Sequence, residues 1–255
     1  MQLISSVNKA MDLLKLFTAE HPELSLTELS SHMELHKSSI YRIMSTLAAA
    51  GFVEKNRVTQ KYRLGLIFLE LANHVLSRYN FRDQAKLYLE ELAKKTGEII
   101  HLAILDGADI IYLDKKGQAQ PLTVATKIGG RSPAYSSAMG KVLLAGLTRQ
   151  ELKKTLGQGS LRKMTANTIT EMPILVVELE KVKHQGFAVD DEEAFSGIRC
   201  VAAPLKRTDG AVIAAISATV PKQRMGKQRM GEMSQLVKET AQLISERCIK
   251  SQIGE

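Results

Sequence analysis

The fold is decided by two neighbouring runs of sequence, Ser25-Leu-Thr-Glu-Leu-Ser-Ser-His-Met33 and Lys37-Ser-Ser-Ile-Tyr-Arg-Ile-Met-Ser-Thr-Leu-Ala-Ala-Ala50. The first begins with a Ser-x-x-Glu spacing, in which the Ser25 hydroxyl and the Glu28 carboxylate satisfy free amides at a helix start. The second is apolar on one face with the helical period. That face consists of Ile40, Ile43, Met44 and Leu47. A short helix, a tight turn and a second amphipathic helix predict a helix-turn-helix.

Two short strands are predicted directly after this motif. Gly51 ends the second helix, because glycine takes the left-handed backbone conformation without a steric penalty. Residues 52–55 and 61–64 then form strand-like runs around a polar turn, as in a β-hairpin. With an amphipathic first helix over residues 7–17, residues 1–64 are predicted to be a winged helix-turn-helix domain.

Positive charge is concentrated on the second helix and the wing. Residues 36–64 contain six lysines and arginines against Glu54 alone, whereas residues 1–35 contain two lysines against five acidic residues. A solvated helical surface is the ordinary explanation of such charge, but its coincidence with the helix-turn-helix pattern favours binding to double-stranded DNA. The predicted DNA-binding residues are Lys37, Ser38, Ser39, Tyr41, Arg42, Ser45, Lys61 and Arg63.

The whole chain has the composition of a soluble globular protein. Of its 255 residues 44% are hydrophobic and 24% are charged, and the formal net charge of +8 favours polyanionic partners. The length allows two domains. The two cysteines, Cys200 and Cys248, provide neither a disulfide framework nor a zinc-ligand spacing. The sequence has no secretory signal pattern and no apolar run that could cross a bilayer, so we expect a cytoplasmic protein without a membrane partner.

Residues 65–82 are predicted to form a linker helix and a joint. Residues 65–76 are apolar on nearly every side, so a helix there needs packing partners that bury it on all sides. Burial against the C-terminal domain would supply this cover. Packing against the same helix of a second copy is the alternative that we favour, which predicts a homodimer, with a homotetramer as a further alternative. Residues 78–82 are expected to be a polar joint.

Residues 83–255 alternate between helical and strand patterns. A helix ending at Gly97 precedes two strands, residues 99–105 and 109–114, which are joined by a turn at Asp106-Gly107. A loop is predicted at residues 128–133, helices at 136–147, 149–156, 172–184 and 230–249, and strands at 187–191, 198–205 and 211–220. This order is typical of an antiparallel sheet flanked by helices, so the fold class of the chain is predicted to be α+β.

Several motifs occur in a fixed order along nearly the whole chain. In the N-terminal half they are Leu26-Thr-Glu-Leu29, Lys37-Ser-Ser-Ile-Tyr-Arg42, Ala50-Gly-Phe-Val-Glu54 and Tyr62-Arg-Leu-Gly65. In the C-terminal half they are Thr96-Gly-Glu-Ile-Ile-His-Leu102, Ile128-Gly-Gly-Arg-Ser-Pro133, Ser137-Ala-Met-Gly-Lys141, Asp191-Glu-Glu193 and Gly197-Ile-Arg-Cys-Val-Ala-Ala-Pro204. With these motifs the chain resembles the IclR family of bacterial transcriptional regulators.

The resemblance implies a winged helix-turn-helix, a linker helix and a GAF-like domain that binds a small organic acid. The members that the chain is most similar to regulate sugar-acid catabolism, so the expected function is that of a repressor controlled by a sugar acid or a 2-keto acid. His36 departs from the family, which often has proline there. Proline would only preset the first turn of the helix, so the departure leaves the fold unchanged.

The expected effector pocket lies at a predicted helix start near Ser136 or Ser137. Free amides there could receive a carboxylate, although an ordinary capped helix has the same pattern. Ser217 and Thr219 share one strand face, which could be either a polar pocket wall or a solvent-exposed surface. The acidic run 190–193 could be either a solvated turn or an acceptor of hydrogen bonds from sugar hydroxyls. The predicted effector-binding residues are Ser137, Ala138, Met139, Gly140, Asp190, Glu192, Cys200, Ser217 and Thr219.

An enzyme and a DNA-binding scaffold without an effector are the alternatives. Cys200 could act as a nucleophile with His101 as its base, but no known catalytic or phosphate-binding motif accompanies them. A metal site built from His101, His184 and the acidic run has equally little support. We therefore expect no catalytic residues, no cofactor and no metal.

Overall fold

The chain divides into an N-terminal unit, Met1–Arg78, and a C-terminal unit, Tyr79–Glu255, in a computed structural model that describes residues 3–117, 126–157 and 159–249. The division falls inside the predicted linker, residues 65–82. The outer limits of the predicted domains, residues 1 and 255, lie outside the described residues. The boundaries at residues 64 and 82 stay predictions.

The N-terminal unit contains the predicted helix-turn-helix and wing. Its elements are α1 (Ser5–Lys15), α2 (Leu26–Met33), α3 (Lys37–Ala49), β1 (Val53–Lys55), β2 (Tyr62–Leu64) and α4 (Ile67–Leu76). The capping box at the start of α2 is present, because the Ser25 amide donates to Glu28 Oε2 at 2.7 Å and the Glu28 amide donates to Ser25 Oγ at 3.2 Å. These bonds from Ser25 lower the pKa of Glu28 to about 2. Gly51, at φ +77°, turns the chain from α3 into the wing.

The predicted apolar stripe of α3 forms the core of this unit. Ile40 and Met44 are fully buried together with Leu13 of α1 and Leu29 of α2, and Ile43 is half-buried. Strand β2 is also tied to the segment before α2, because Leu24 and Tyr62 exchange backbone hydrogen bonds of 2.9 and 2.8 Å. The wing is therefore attached to the helix-turn-helix on two sides.

The C-terminal unit is an antiparallel sheet between two layers of helices, as predicted. Its strands are β3 (Ile99–Asp106), β4 (Asp109–Lys116), β5 (Arg131–Pro133), β6 (Ala188–Asp191), β7 (Ile198–Lys206) and β8 (Val212–Pro221). Its helices are α5 (Phe81–Thr96), α6 (Ala138–Ala145), α7 (Arg149–Leu156), α8 (Met172–Gln185) and α9 (Lys227–Ile244). In the described part of the chain the strand order is β5-β4-β3-β8-β7-β6. Helices α6 and α8 pack on one face of the sheet and α5 and α9 on the other.

Four local predictions are corrected by the structure. Residues 131–133 of the predicted loop form β5, which pairs with β4 at the sheet edge. The polar joint is shorter than predicted, because α5 already begins at Phe81. Helix α6 begins at Ala138 after a 3-10 turn, Ala134–Ser136, because Ser137 acts as its N-cap. The terminal helix begins at Lys227 and continues beyond Ile244 as a π-helical turn, Ser245–Ile249.

Candidate DNA-binding surface and ligand cavity

Helix α3 presents its predicted DNA-binding side chains to solvent. They lie opposite the buried residues Ile40, Met44 and Leu47, and all of them are exposed. They are Lys37, Ser38, Ser39, Tyr41, Arg42 and Ser45. This face can supply a guanidinium, an ammonium and several hydroxyls, which are the groups that contact base edges and phosphates.

The two predicted wing residues are already engaged in ion pairs. Lys61 Nζ lies 3.4 Å from Glu28, and Arg63 Nε lies 2.6 Å from Glu54. Among the described residues, the cations of this unit that face solvent without a carboxylate partner include Lys37, Arg42 and Arg57. Arg57 cannot be singled out from the sequence, because the charge pattern alone does not separate paired from unpaired cations.

A cavity lies between the start of α6 and the sheet. It encloses about 380 Å³ of atom-free space with its mouth included. Its described lining contains no lysine or arginine. The lining consists of Tyr112, Thr126, Ser132, Ser137, Ala138, Met139, Asp190, Ala194, Phe195, Ile198, Cys200, Ser217 and Thr219.

Strand register brings the polar lining residues together on one sheet face. Asp190 of β6 pairs with Cys200 of β7, which pairs with Thr219 of β8. Ser217, two residues before Thr219, lies on the same face and is 1% exposed. Its hydroxyl has no hydrogen-bond partner within the described residues. A buried unpartnered hydroxyl beside a cavity is costly unless a ligand or water completes it.

The start of α6 leaves two amides for a ligand. Ser137 Oγ accepts from the Gly140 amide at 3.0 Å, so this amide is already satisfied. The amides of Ala138 and Met139 precede it at the first helical positions, where the helix itself provides no acceptor. Gly140 does not line the cavity. Its place on α6 is fixed by packing, because a Cβ there would stand 2.0 Å from the Ala134 carbonyl oxygen.

The Asp190 carboxyl is held in the cavity wall by its own loop. It accepts hydrogen bonds from the amides of Glu193 at 2.7 Å and Ala194 at 3.4 Å. Burial raises the pKa of Asp190 to about 7 in spite of these bonds. Behind the loop, the fully buried Lys141 pairs with Glu193 at 2.6 Å. Asp190 and Glu193 are therefore buried, and the alternative of a solvated acidic turn is wrong for both.

Glu192 has a different environment from the one predicted. Its carboxylate accepts from the Gly197 amide at 2.9 Å and pairs with Lys222. It is not part of the described cavity lining. The structure therefore does not bring Glu192 together with Asp190, Ser217 and Thr219 at the cavity wall.

A hydrogen-bonded histidine lies behind the cavity wall. His101 Nε2 lies 2.7 Å from Thr126 Oγ1, and His101 Nδ1 lies 3.2 Å from Thr219 Oγ1. Burial and the nearby Lys115 lower the pKa of His101 to about 3, so the ring is neutral. A neutral imidazole has one donor and one acceptor, so it holds these two cavity hydroxyls in opposite hydrogen-bonding senses.

These contacts do not form a nucleophilic or metal site. Thr219 stands between His101 and Cys200, whose Sγ donates to Thr219 Oγ1 at 3.5 Å. Burial raises the pKa of the Cys200 thiol far above neutrality, whereas a nucleophile needs a thiolate. Among the described residues no three His, Cys, Asp or Glu side chains are arranged around a metal position.

None of the helices among the described residues has the length and apolarity that crossing a bilayer requires.

A DNA-reading winged unit joined to a ligand-binding unit defines a transcriptional regulator of the one-component type. Two family models match the chain, the IclR helix-turn-helix domain over residues 6–57 and the bacterial transcriptional regulator IclR C-terminal domain over residues 73–246. The chain therefore belongs to the IclR family of transcriptional regulators.

Individual relatives match nearly the full length. The chain is similar to the HTH-type transcriptional regulator KdgR of Escherichia coli, with 35% identity over 95% of this chain and 92% of the relative. It is similar to XynR of the same organism, with 33% identity over 96% of this chain and 97% of the relative. The crystal structure of the Thermotoga maritima IclR has 32% identity and a TM-score of 0.78, covering 95% of this chain and 98% of that one. The two Escherichia coli relatives are named as transcriptional regulators, and both family models are those of a regulator family, which sets the enzyme alternative aside.

Proposed function

We propose that this IclR-type regulator binds its operator as a homodimer and represses transcription until a small organic acid enters the cavity beside α6. The expected ligands are sugar acids and 2-keto acids. The observation that carries the proposal is the buried Ser217 hydroxyl, which has no hydrogen-bond partner among the described residues and lines the same cavity as Ala138 and Met139 at the start of α6. Because the partner is chromosomal DNA, we propose the cytoplasm as the location.

On the DNA side, we assign base and phosphate contacts to the exposed face of α3. Arg42 has the reach and the donors to contact a guanine edge, and Lys37 lies at the leading end of the helix. Lys61 and Arg63 of the wing contribute to the positive surface while they remain paired with Glu28 and Glu54.

On the ligand side, we place the carboxylate at the amides of Ala138 and Met139. A helix start carries partial positive charge, and the described lining offers no lysine or arginine that could replace it. The ligand's hydroxyl tail then extends toward Asp190, Ser217 and Thr219.

A homodimer is supported by the exposed apolar residues of the N-terminal unit. Helix α4 has no buried residue, and Leu66, Leu69 and Val75 are 74%, 70% and 53% exposed. Ile4, directly before α1, and Met11 on α1 are exposed as well. Apolar surface of this extent is typical of a protein interface, and a symmetric second copy is the common solution.

A ligand screen tests the proposal. The full chain is first tested by thermal shift and then by calorimetry with 2-keto-3-deoxygluconate, gluconate, pyruvate and glyoxylate. We expect at least one acid to bind at a single site on the chain. The same acid should change the affinity of the protein for a duplex that it selects from a random pool. An acid that binds without changing DNA affinity would contradict the regulatory role, and binding of none would favour the scaffold alternative.

A further inference from the structure

We propose that Glu23, an acidic residue of the DNA-binding unit, positions the wing so that Arg57 at its tip contacts the DNA backbone. The proposal rests on the binding of DNA by this winged helix-turn-helix unit. Glu23 itself is not proposed to touch DNA. Its role is that of a positioning residue, which acts through the side chains of the wing turn.

Both carboxylate oxygens of Glu23 bind the wing turn. Asn56 Nδ2 donates to Glu23 Oε1 at 2.9 Å, and Thr59 Oγ1 donates to Glu23 Oε2 at 3.0 Å. Arg63 NH1 approaches the same carboxylate at 3.8 Å. The hydrogen bonds from Asn56 and Thr59 lower the pKa of Glu23, so the carboxylate stays charged at neutral pH. The segment that leads into α2 is thus bound through Glu23 to the turn of the wing.

The turn that Glu23 holds also has hydrogen bonds of its own. Asn56 Oδ1 accepts from the amides of Val58 at 2.9 Å and Thr59 at 3.2 Å. Gln60 closes the turn with a hydrogen bond from its side chain to the Arg57 carbonyl at 2.8 Å. Arg57 is left exposed at the tip beside Val58, which is 92% exposed, and it has no ion pair among the described residues. An unpaired arginine on a fixed turn is suited to a phosphate contact.

Electrostatics alone predicts the opposite effect for Glu23. A carboxylate near DNA repels phosphates, so its removal should increase the affinity. If Glu23 positions the wing, its removal should instead decrease the affinity, because the tip loses its anchor. The sign of the change therefore separates the two roles.

Three variants of the full chain test this with a duplex that the wild-type protein selects from a random pool. Glu23→Ala removes the anchor and should weaken binding by about two- to tenfold, the scale of one lost hydrogen-bonded contact. It should also reduce the slope of log affinity against log salt by about one. Glu23→Gln can keep both wing bonds, since its oxygen accepts from Asn56 and its amide donates to Thr59, so it should bind at least as tightly as the wild type. Glu20→Ala, which removes a nearby exposed charge, should not weaken binding.

Two further measurements identify the path of the effect. Arg57→Ala should weaken binding in the wild type but have little effect in Glu23→Ala, because the contact is already lost there. Thr59→Val removes one of the two wing bonds to Glu23 at an exposed position, and it should also weaken DNA binding. This variant keeps the test valid if Glu23→Ala lowers the melting temperature. Unchanged or tighter binding by folded Glu23→Ala, or a full effect of Arg57→Ala in that background, would overturn the proposal.

Discussion

At the scale of single residues, Ser217 is expected to have opposite effects on stability and on ligand affinity. Its buried hydroxyl has no partner within the described residues, so Ser217→Ala removes an unsatisfied polar group and should not lower the free energy of unfolding. The same change removes a hydrogen bond to the ligand and should cost about 0.5–1.5 kcal/mol of binding free energy. Urea unfolding and calorimetry with the acid found in the screen measure the two effects. A loss of stability without a loss of affinity would place Ser217 outside the ligand site.

Asp190 is expected to make the stability of the protein depend on pH. Its pKa is raised by burial to about 7 in the folded protein, whereas an aspartate in an unfolded chain titrates near 3.9. The folded state therefore binds more protons between these values, and the free energy of unfolding should fall as the pH rises from 4 to 7. The loss attributable to Asp190 is at most about 4 kcal/mol.

Asp190→Asn tests this dependence. The asparagine oxygen can still accept from the amides of Glu193 and Ala194, but the group no longer titrates. Urea unfolding at a series of pH values should therefore give a flatter curve for the variant between pH 4 and 7. Glu171→Gln, which changes an exposed carboxylate of the same unit, should leave the curve as it is. Parallel curves for Asp190→Asn and the wild type would exclude Asp190 as the origin.

Much of the cavity wall could be predicted from residue spacing. Ser217 and Thr219 share a strand face because side chains alternate, and Cys200 and Asp190 join them through the register of the antiparallel strands. Thr126 and Phe195 could not be found in this way, because they lie outside the regular strands. Residue spacing also does not place Glu192: with φ at +62° it departs from strand geometry, and its carboxylate binds Gly197 and Lys222 outside the described lining.

At the scale of elements, α3 and the wing should differ in their effect on DNA binding. Arg42→Ala should weaken operator binding by about 1–3 kcal/mol if the guanidinium reads a base. Lys61→Ala should weaken it less, because Lys61 is paired with Glu28 and an exposed pair contributes under about 1 kcal/mol. Gel shifts with the selected duplex and with an unrelated duplex measure affinity and specificity. An effect of Lys61→Ala larger than that of Arg42→Ala would move the main contact from α3 to the wing.

Element lengths explain which parts of the fold the sequence predicted. Helix α3 and strand β8 have long, regular apolar patterns, and both lie within a residue or two of their predicted limits. Strand β5 cannot be predicted from the sequence, because it has only three residues and ends in proline, a pattern that does not differ locally from a loop. It is a strand because β4 provides an edge with which it can pair.

At the scale of the whole molecule, the apolar surface of α4 leads to a prediction about assembly. Leu69→Asp places a charge on the helix at a side chain that is 70% exposed in the single chain, so folding should be preserved. If α4 packs against a second copy, the buried charge should dissociate the dimer, because an unpaired charge in an apolar interface is strongly unfavourable. Sedimentation at micromolar concentration should then show a smaller species for Leu69→Asp. Val58→Asp, at the exposed wing tip, serves as the control and should sediment like the wild type.

Coupling between the ligand and DNA gives a prediction that needs no assumption about how the two units are arranged. If an acid weakens operator binding by some factor, bound operator must weaken acid binding by the same factor. Couplings of about 1–3 kcal/mol are typical, which corresponds to roughly five- to 150-fold. Calorimetric titration of the screened acid into the free protein and into the protein saturated with the selected duplex measures one factor, and duplex affinity with and without acid measures the other. Ser217→Ala removes a hydrogen bond to the acid that we expect in both the free and the DNA-bound protein. It should therefore lower the affinity for the acid equally in these two states and leave the coupling unchanged. Equal acid affinities in the free and DNA-bound protein would mean that the acid binds without regulating, since a ligand shifts an equilibrium only through unequal affinity for its two states.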